Sequence, residues 1–263
     1  MAYRFALITG ASSGIGAAFA RALPPETHLL LTGRNQERLE ALSARLAYPG
    51  RRVEAVVADL AGEDGRAAVV ARARASEIDL FINNAGLGRL GRLIDNPEAS
   101  EREMVEVNVV AVLVLTRALL PDMVKRAGMS GRRAGLIVTA SAAGFNPLPF
   151  LATYAASKAF DLHLAEALAA EFADDPVDVL ALCPGTTDTD FFARAHMAGS
   201  AMPTMDSPDR VAREALAALG RRHVHVVGPT TRFTTWIGRI MPRRLTLAAT
   251  AHYMAKLKKR SGV

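Results

Sequence analysis

Apolar residues along this chain follow two alternating rhythms. At 3–9, 28–32, 52–58, 78–82, 134–140, 177–183 and 223–227 they are nearly continuous, as in strands buried on both faces of a parallel sheet. Between these runs, 14–23, 36–47, 63–76, 97–127, 152–173 and 207–220 carry apolar residues at helical spacing, which predicts helices with one buried face. Pro97 and Pro208 suit helix first turns, and Gly128 suits a helix end. Strand and helix alternate throughout, so 1–228 is predicted to be a single α/β domain built on a doubly wound parallel sheet. Beyond it, Phe233, Trp236, Ile237, Ile240 and Met241 recur at i, i+3, i+4, i+7 and i+8, and Leu245 to Leu257 carries a weaker helical pattern. Residues 229–263 therefore read as a basic, amphipathic helical extension.

Composition narrows the class. A chain of 263 residues, half of them hydrophobic, is long enough for one large core, and no linker or repeat divides it. The one cysteine, Cys183, rules out an intrachain disulfide and reads as inert core. Met1-Ala2 runs straight into the first strand and no run of about 18 apolar residues is evident, so a cytoplasmic protein is expected. The net charge of +6 is local. Eight of the 32 bases and none of the 26 acids lie from Pro229 onward, leaving 24 bases against 26 acids elsewhere. A surplus confined to one short cluster argues against a nucleic-acid-binding core.

Two stretches carry chemistry. In Thr9-Gly-Ala-Ser-Ser-Gly-Ile-Gly16 a buried strand meets a glycine turn and then a helix, so that Gly10, Ser12, Ser13, Gly14, Ile15 and Gly16 would face a pyrophosphate with free N–H groups and the positive helix end. Gly10 allows the tight turn, Gly14 lets the backbone approach the ligand, and Gly16 lets the helix pack closely. The spacing is G-x-x-x-G-x-G rather than G-x-G-x-x-G. In Tyr154-Ala-Ala-Ser-Lys158, i and i+4 spacing sets a phenol and an ammonium on one helix face. A nearby ammonium favours the phenolate and makes the tyrosine a usable acid and base.

Four further features accompany them: Asn83-Asn84-Ala85-Gly86 after the fourth strand, Asn108 in Val-Glu-Val-Asn-Val, Ser141 thirteen residues before Tyr154, and Pro184-Gly185 closing the sixth strand. Together with the two stretches, over about residues 3 to 228, they resemble the short-chain dehydrogenase/reductase family, and the resemblance implies a Rossmann-type sheet. By that resemblance Tyr154 exchanges a proton with the substrate oxygen, Lys158 binds the nicotinamide ribose and tunes Tyr154, Ser141 holds the substrate oxygen, and Asn108 positions a relay water. Asp59-Leu60 would contact adenine, Asn83 and Ala85 would line the same groove, and Pro184, Gly185 and Thr187 would meet the nicotinamide amide. No metal site is implied.

The second strand ends in Thr-Gly-Arg34 with no acid between Leu29 and Gln36, so NADP(H) is expected rather than NAD(H): Arg34 can bind the 2′-phosphate. Ser13 stands where relatives that prefer NADP often carry a base, and Ser12 could contribute a hydroxyl instead. Phe145, Pro147, Leu148, Pro149, Phe150 and Leu151, with Phe191, Phe192, Met197, Met202 and Met205 in 188–206, suggest an apolar pocket for a carbonyl or secondary alcohol. Alternatives are a 3-oxoacyl thioester reductase and a catalytically silent nucleotide sensor or membrane-recruited protein. The basic tail resembles that of a bacterial subgroup of poorly defined substrate. It replaces the usual glycine-rich ending and reads as a pocket cap, an arm on a second subunit of a homo-oligomer (a dimer being favoured), or a peripheral membrane contact. Something is expected to cover its apolar stripe, and the tail is expected to affect substrate handling or association more than cofactor binding.

Overall fold

The computed structural model describes residues 3–197 and 205–261. Met202 lies outside the described residues. Seven strands, β1 (Phe5–Thr9), β2 (His28–Gly33), β3 (Val53–Val57), β4 (Leu80–Asn83), β5 (Ala134–Thr139), β6 (Val177–Cys183) and β7 (Val224–Val226), form one parallel sheet in the order β3-β2-β1-β4-β5-β6-β7. The helices are α1 (Gly14–Ala22), α2 (Gln36–Leu46), α3 (Glu63–Ala75), α4 (Glu98–Val105), α5 (Ala111–Ser130), α6 (Ala152–Glu171), α7 (Phe191–Arg194), α8 (Pro208–Ala218), α9 (Pro229–Ile240) and α10 (Arg243–Ser261). This is the predicted Rossmann-type architecture.

Each strand feeds two cores because successive side chains point to opposite faces. Phe5 and Leu7 pack with Leu115, Leu119 and Leu162 under α5 and α6. Ala6 and Ile8 pack with Phe19, Leu39 and Val211 under α1, α2 and α8. Burial on both faces explains why the inner strands β1, β2, β4, β5 and β6 read as continuous apolar runs, whereas the edge strand β3 is only partly covered. Helices α5 and α8 end and begin on local signals: Gly131 adopts φ +66° beyond α5, and Pro208 occupies the first turn of α8 with the Ser207 hydroxyl accepting from Arg210 N–H.

Three details depart from the sequence expectations. The helix predicted over 97–127 is α4, a π turn at Glu106–Val110 and α5, and it runs on to Ser130. Gly128 therefore lies inside it, and Pro97 caps α4 rather than joining its first turn. The stretch from Glu98 to Ser130 is also long and apolar enough to cross a membrane, with mean hydropathy 1.8 over an 18-residue window, against the expectation that no such run exists. Half of that window is buried in the core, where Leu115, Leu119 and Met123 are enclosed, so packing accounts for that half of its apolarity. Between Ser141 and α6 the chain adds a 3₁₀ turn, Ala142–Phe145.

The neighbours of β1 are β2 on one side and β4 on the other, so the strand order reverses there and a crevice opens at the strands' C-terminal ends. Thr9 joins its two walls. Its Oγ1 accepts from the N–H groups of Asn84 (2.8 Å) and Ala85 (3.0 Å), while its carbonyl accepts from Asn84 Nδ2 (3.0 Å). We predict that Thr9→Val, which keeps the shape but leaves two amide donors unpartnered, lowers unfolding stability by about 1–3 kcal/mol. Urea denaturation checks this, and an unchanged midpoint would refute it.

Candidate active site

The glycine turn forms one end of the crevice. Gly10 has φ +66°, and a Cβ there would lie 2.9 Å from Ala85 Cα; a Cβ on Gly16 would lie 2.3 Å from the Gly10 carbonyl oxygen. Gly16 thus lets α1 close down on the preceding turn, a tighter approach than helix-on-sheet packing. The residue before α1, Ser13, makes no side-chain capping bond to the helix. The first turn of α1 thus has no side-chain cap from Ser13, and uncapped first-turn N–H groups favour an anion. Ser13 Oγ instead accepts from Arg194 Nη2 at 3.3 Å.

Tyr154, Lys158 and Ser141 meet farther along the same cavity. Helix α6 carries Tyr154 and Lys158 one turn apart, and the Tyr154 ring lies 5.3 Å from that of Phe191. Ser141 Oγ accepts from Ala143 N–H (3.1 Å), which leaves its own hydrogen for another acceptor. Lys158 is only 4% exposed; its Nζ donates to the Thr139 carbonyl (2.8 Å) and to Asp161 Oδ2 (2.9 Å). Burial opposes the lysine charge. The Asp161 carboxylate, helped by Tyr154 and Cys183, outweighs it and holds the Lys158 pKa above the ordinary lysine value. Asp161 itself is fully buried and its Oδ1 has no hydrogen-bond partner. Burial pushes the Cys183 thiol up to about 12, in keeping with inert core.

Asn108 and Asn83 stand behind this wall. Asn108, within the π turn, accepts from Leu87 N–H (2.8 Å) and donates from Nδ2 to the Leu87 carbonyl (2.9 Å) and Ser157 Oγ (2.9 Å). Both of its N–H donors are therefore engaged. A π turn at such a position is a common mark of a functional site. The Asn83 side chain, expected in the groove, turns away instead and donates to the Val112 carbonyl and Thr116 hydroxyl of α5. Its neighbour Asn84, not anticipated, lines the cavity with Ala85.

At the other end lie Ser12, Arg34, Asp59 and Leu60. Arg34 pairs with Glu103 of α4 at 2.5 Å, both side chains being well exposed. Asp59 Oδ1 accepts from Ala61 N–H (3.1 Å), closing a tight turn at the end of β3. On the nicotinamide side expected from the sequence, Pro184, Gly185 and Thr187 line the cavity, and Thr187 Oγ1 donates to the Gly185 carbonyl at 3.2 Å.

The whole cavity measures about 990 Å³. Of the expected apolar wall, Leu148, Leu151, Phe191, Phe192 and Met197 line it; Phe145, Pro147, Pro149, Phe150 and Met205 do not. Phe145 turns toward the core beneath Arg239, and Phe150, at φ +67°, lies under Lys258. The tail supplies the rest: Met254 and Leu257 of α10 are buried against Leu90, Leu151 and Met197, while threonines of α9 line the mouth. Thr231 lies against Gly185, where a Cβ would come within 2.4 Å of its hydroxyl. The tail therefore also borders the part of the cavity lined by Gly185.

The short chain dehydrogenase family model matches residues 4–198. Oxidoreductase UcpA of Salmonella typhimurium is 35% identical over 225 residues, covering 83% of this chain and 81% of UcpA. Among solved structures, a short-chain dehydrogenase from Sphingobium yanoikuyae in complex with NADPH superposes with TM-score 0.77 at 32% identity, over 89% of this chain and 92% of that one. A 7β-hydroxysteroid dehydrogenase superposes with TM-score 0.81 at 25% identity, over 96% of each chain. The chain belongs to the short-chain dehydrogenase/reductase family and is an oxidoreductase.

The buried Lys158–Asp161 pair makes a prediction independent of turnover. Asp161→Asn removes the counter-charge and should cost about 3–5 kcal/mol near neutral pH. Because the folded Lys158 pKa is raised, the lysine's share of the stabilisation is present at neutral pH, below the ordinary lysine value of 10.5, and is lost as pH rises through the folded value, while burial raises the Asp161 pKa and disfavours the carboxylate toward acid pH. The gap between wild type and Asp161→Asn should therefore narrow in strongly alkaline buffer. Urea midpoints that differ equally at neutral and alkaline pH would exclude this electrostatic account.

Proposed function

We propose that this oxidoreductase is an NADP(H)-dependent enzyme acting on an apolar carbonyl compound or secondary alcohol, with Tyr154 as general acid and base. The observation that carries the reading is the convergence of Tyr154, Lys158 and Ser141 on one wall of a cavity whose other end is the glycine turn. NADP(H), when bound, supplies or accepts the hydride. The Ser141 hydroxyl donates to the substrate oxygen and holds it beside the phenol; Tyr154 gives that oxygen its proton, or takes it in reverse. Lys158 has three N–H donors, two of them already engaged, so the third is directed to the ribose hydroxyls beside Tyr154. With both Asn108 N–H groups engaged, its main task is to clamp the Leu87 loop and Ser157; one Oδ1 lone pair is left for a relay water.

Cofactor preference rests on a comparison of magnitudes. An exposed ion pair such as Arg34–Glu103 is worth about 0–1 kcal/mol, whereas a charge-assisted bond to phosphate is worth roughly 1.5–3. A 2′-phosphate therefore draws Arg34 from Glu103, with Arg194 as a second cation near the turn. The family likeness to an NADPH complex supports the same choice. Leu148, Leu151, Phe191, Phe192, Met197 and Met254 favour an apolar substrate, as does the likeness to a 7β-hydroxysteroid dehydrogenase. We also read the chain as a homodimer, on the exposed Val105, Leu113 and Val114 of α4 and α5.

Tyr154→Phe should lower kcat by about 10²–10⁴-fold on a panel of apolar ketones while NADPH affinity, read by fluorescence titration, stays within a few-fold. Substantial remaining turnover would remove Tyr154 from the mechanism. Wild type should prefer NADPH over NADH, and Arg34→Ala should weaken NADPH binding by about tenfold or more while sparing NADH. Equal use of both cofactors by the native enzyme would show that Arg34 serves the surface alone.

A further inference from the structure

The extension presents its apolar stripe outward. Helix α9 turns Thr231, Thr235 and Gly238 toward the body, while Phe233, Trp236 and Ile240 are 60%, 58% and 64% exposed. The rings of Phe233 and Trp236 stack at 6.4 Å, and beyond Pro242 the exposed set resumes with Leu245 and Leu247. Three large exposed side chains within eight residues of one helix form a contiguous apolar face rather than scattered surface hydrophobics.

Charge identifies what fits this face. From Pro229 onward the chain has eight bases and no acid. Among the described residues, none of the seven cations from Arg232 to Lys259 makes an ion pair, although arginines elsewhere pair widely, as in Arg21–Asp209, Arg66–Glu106 and Arg210–Glu214. Arg243 and Arg244 stand exposed in the first turn of α10, three residues beyond Ile240 at the end of α9. A second copy is a poor occupant, because a two-fold contact would set two acid-free cationic faces against each other. A surface that is apolar inside and anionic at its boundary satisfies both halves of the pattern.

We propose that the outer face of α9–α10 docks on an anionic lipid bilayer, with Phe233, Trp236 and Ile240 in the acyl boundary and the flanking arginines and lysines at the headgroups. Threonines of α9 and Tyr253 of α10 line the cavity, so docking brings the cavity mouth close to the lipid surface. Delivery of an apolar substrate from the bilayer follows only if the apolar-substrate reading holds. Docking itself stands on the tail alone.

Trp236 is the single tryptophan of the chain, so intrinsic emission reports this face directly. The full-length protein should show a blue shift with vesicles containing about a third phosphatidylglycerol and none with phosphatidylcholine alone. About 0.5 M NaCl should reverse the shift, since the Debye length then falls to a few ångströms. Arg243→Glu with Arg244→Glu, and separately Phe233→Ser, should weaken vesicle co-sedimentation at least tenfold while leaving reduction of a water-soluble ketone unchanged. All these substitutions lie on exposed side chains, and circular dichroism with NADPH binding confirms folding. The proposal is overturned if neither vesicle shifts the emission, if binding ignores lipid charge and salt, or if sedimentation shows a dimer that Phe233→Ser dissociates. Loss of ketone turnover in Tyr154→Phe with vesicle binding intact separates failure of docking from failure of the catalytic reading.

Discussion

A continuous path of polar contacts ties the glycine turn to the helix bearing Tyr154 and Lys158, and the geometry of the crevice depends on it. Thr9, at the end of β1, holds Asn84 and Ala85; two residues on, Leu87 is held by Asn108 through both its N–H and its carbonyl; Asn108 in turn holds Ser157, beside Lys158. Each link joins an irregular segment to a regular element, so loops that would otherwise drift are fixed by β1, the π turn and α6. Close backbone approach completes the junction: Gly10 against Ala85 and Gly16 against Gly10 leave no room for a Cβ. The π turn has a local role in this arrangement. It carries Asn108 at the height of Leu87 while the helix continues into α5.

The second constraint is electrostatic. A lysine buried as deeply as Lys158 would shed its proton in an apolar surrounding, because desolvation penalises the charged form. Asp161 prevents this at the cost of burying a second charge, and pairs of this kind seldom add net stability over apolar replacements. The arrangement instead fixes direction: with Thr139 and Asp161 each taking one ammonium hydrogen, the third has a defined heading. A positioned donor, with no rotational freedom left to lose, fits the proposed task of holding a ribose beside the phenol.

Legibility in the sequence follows the range of the interaction. The strands, the glycine turn and the Tyr154–Lys158 spacing were readable because each rests on a local period or a local turn, and the sheet confirms the strands. Asp161 was not: three residues beyond Lys158, an acid on a helix reads as solvated surface until the fold shows it is enclosed. Arg194 reaches Ser13 across 181 residues, a contact without a local signature. The family resemblance places Asn83 in the groove with Ala85, but alternation along β4 sends its side chain to α5. Phe145 and Phe150 were placed in the wall by proximity to Ser141 and Tyr154; the 3₁₀ turn and a left-handed residue carry them elsewhere.

The tail shows why periodicity alone cannot orient a helix. A regular apolar stripe at 233, 236, 237, 240 and 241 calls for a cover, since burial is where such residues normally gain free energy, but leaves open whether that cover is the pocket, a second subunit or a lipid surface. Another stripe on the same helix decides the outcome. Thr231, Thr235 and Gly238 recur at i, i+4 and i+7, and they meet tight surroundings: a Cβ on Gly185 would press on Thr231, and a Cβ on Gly238 would lie 2.7 Å from Asn146 Nδ2. At that separation a larger residue at 238 would have to displace the Asn146 side chain. Small residues therefore face in, and the bulky ones are left outside, with Ile237 and Met241 at the border half-buried. Close packing against the body thus takes precedence over hydrophobic burial within the monomer, and the exposed Arg243 and Arg244, which have no acidic partner among the described residues, give the lipid surface its case as the proposed cover.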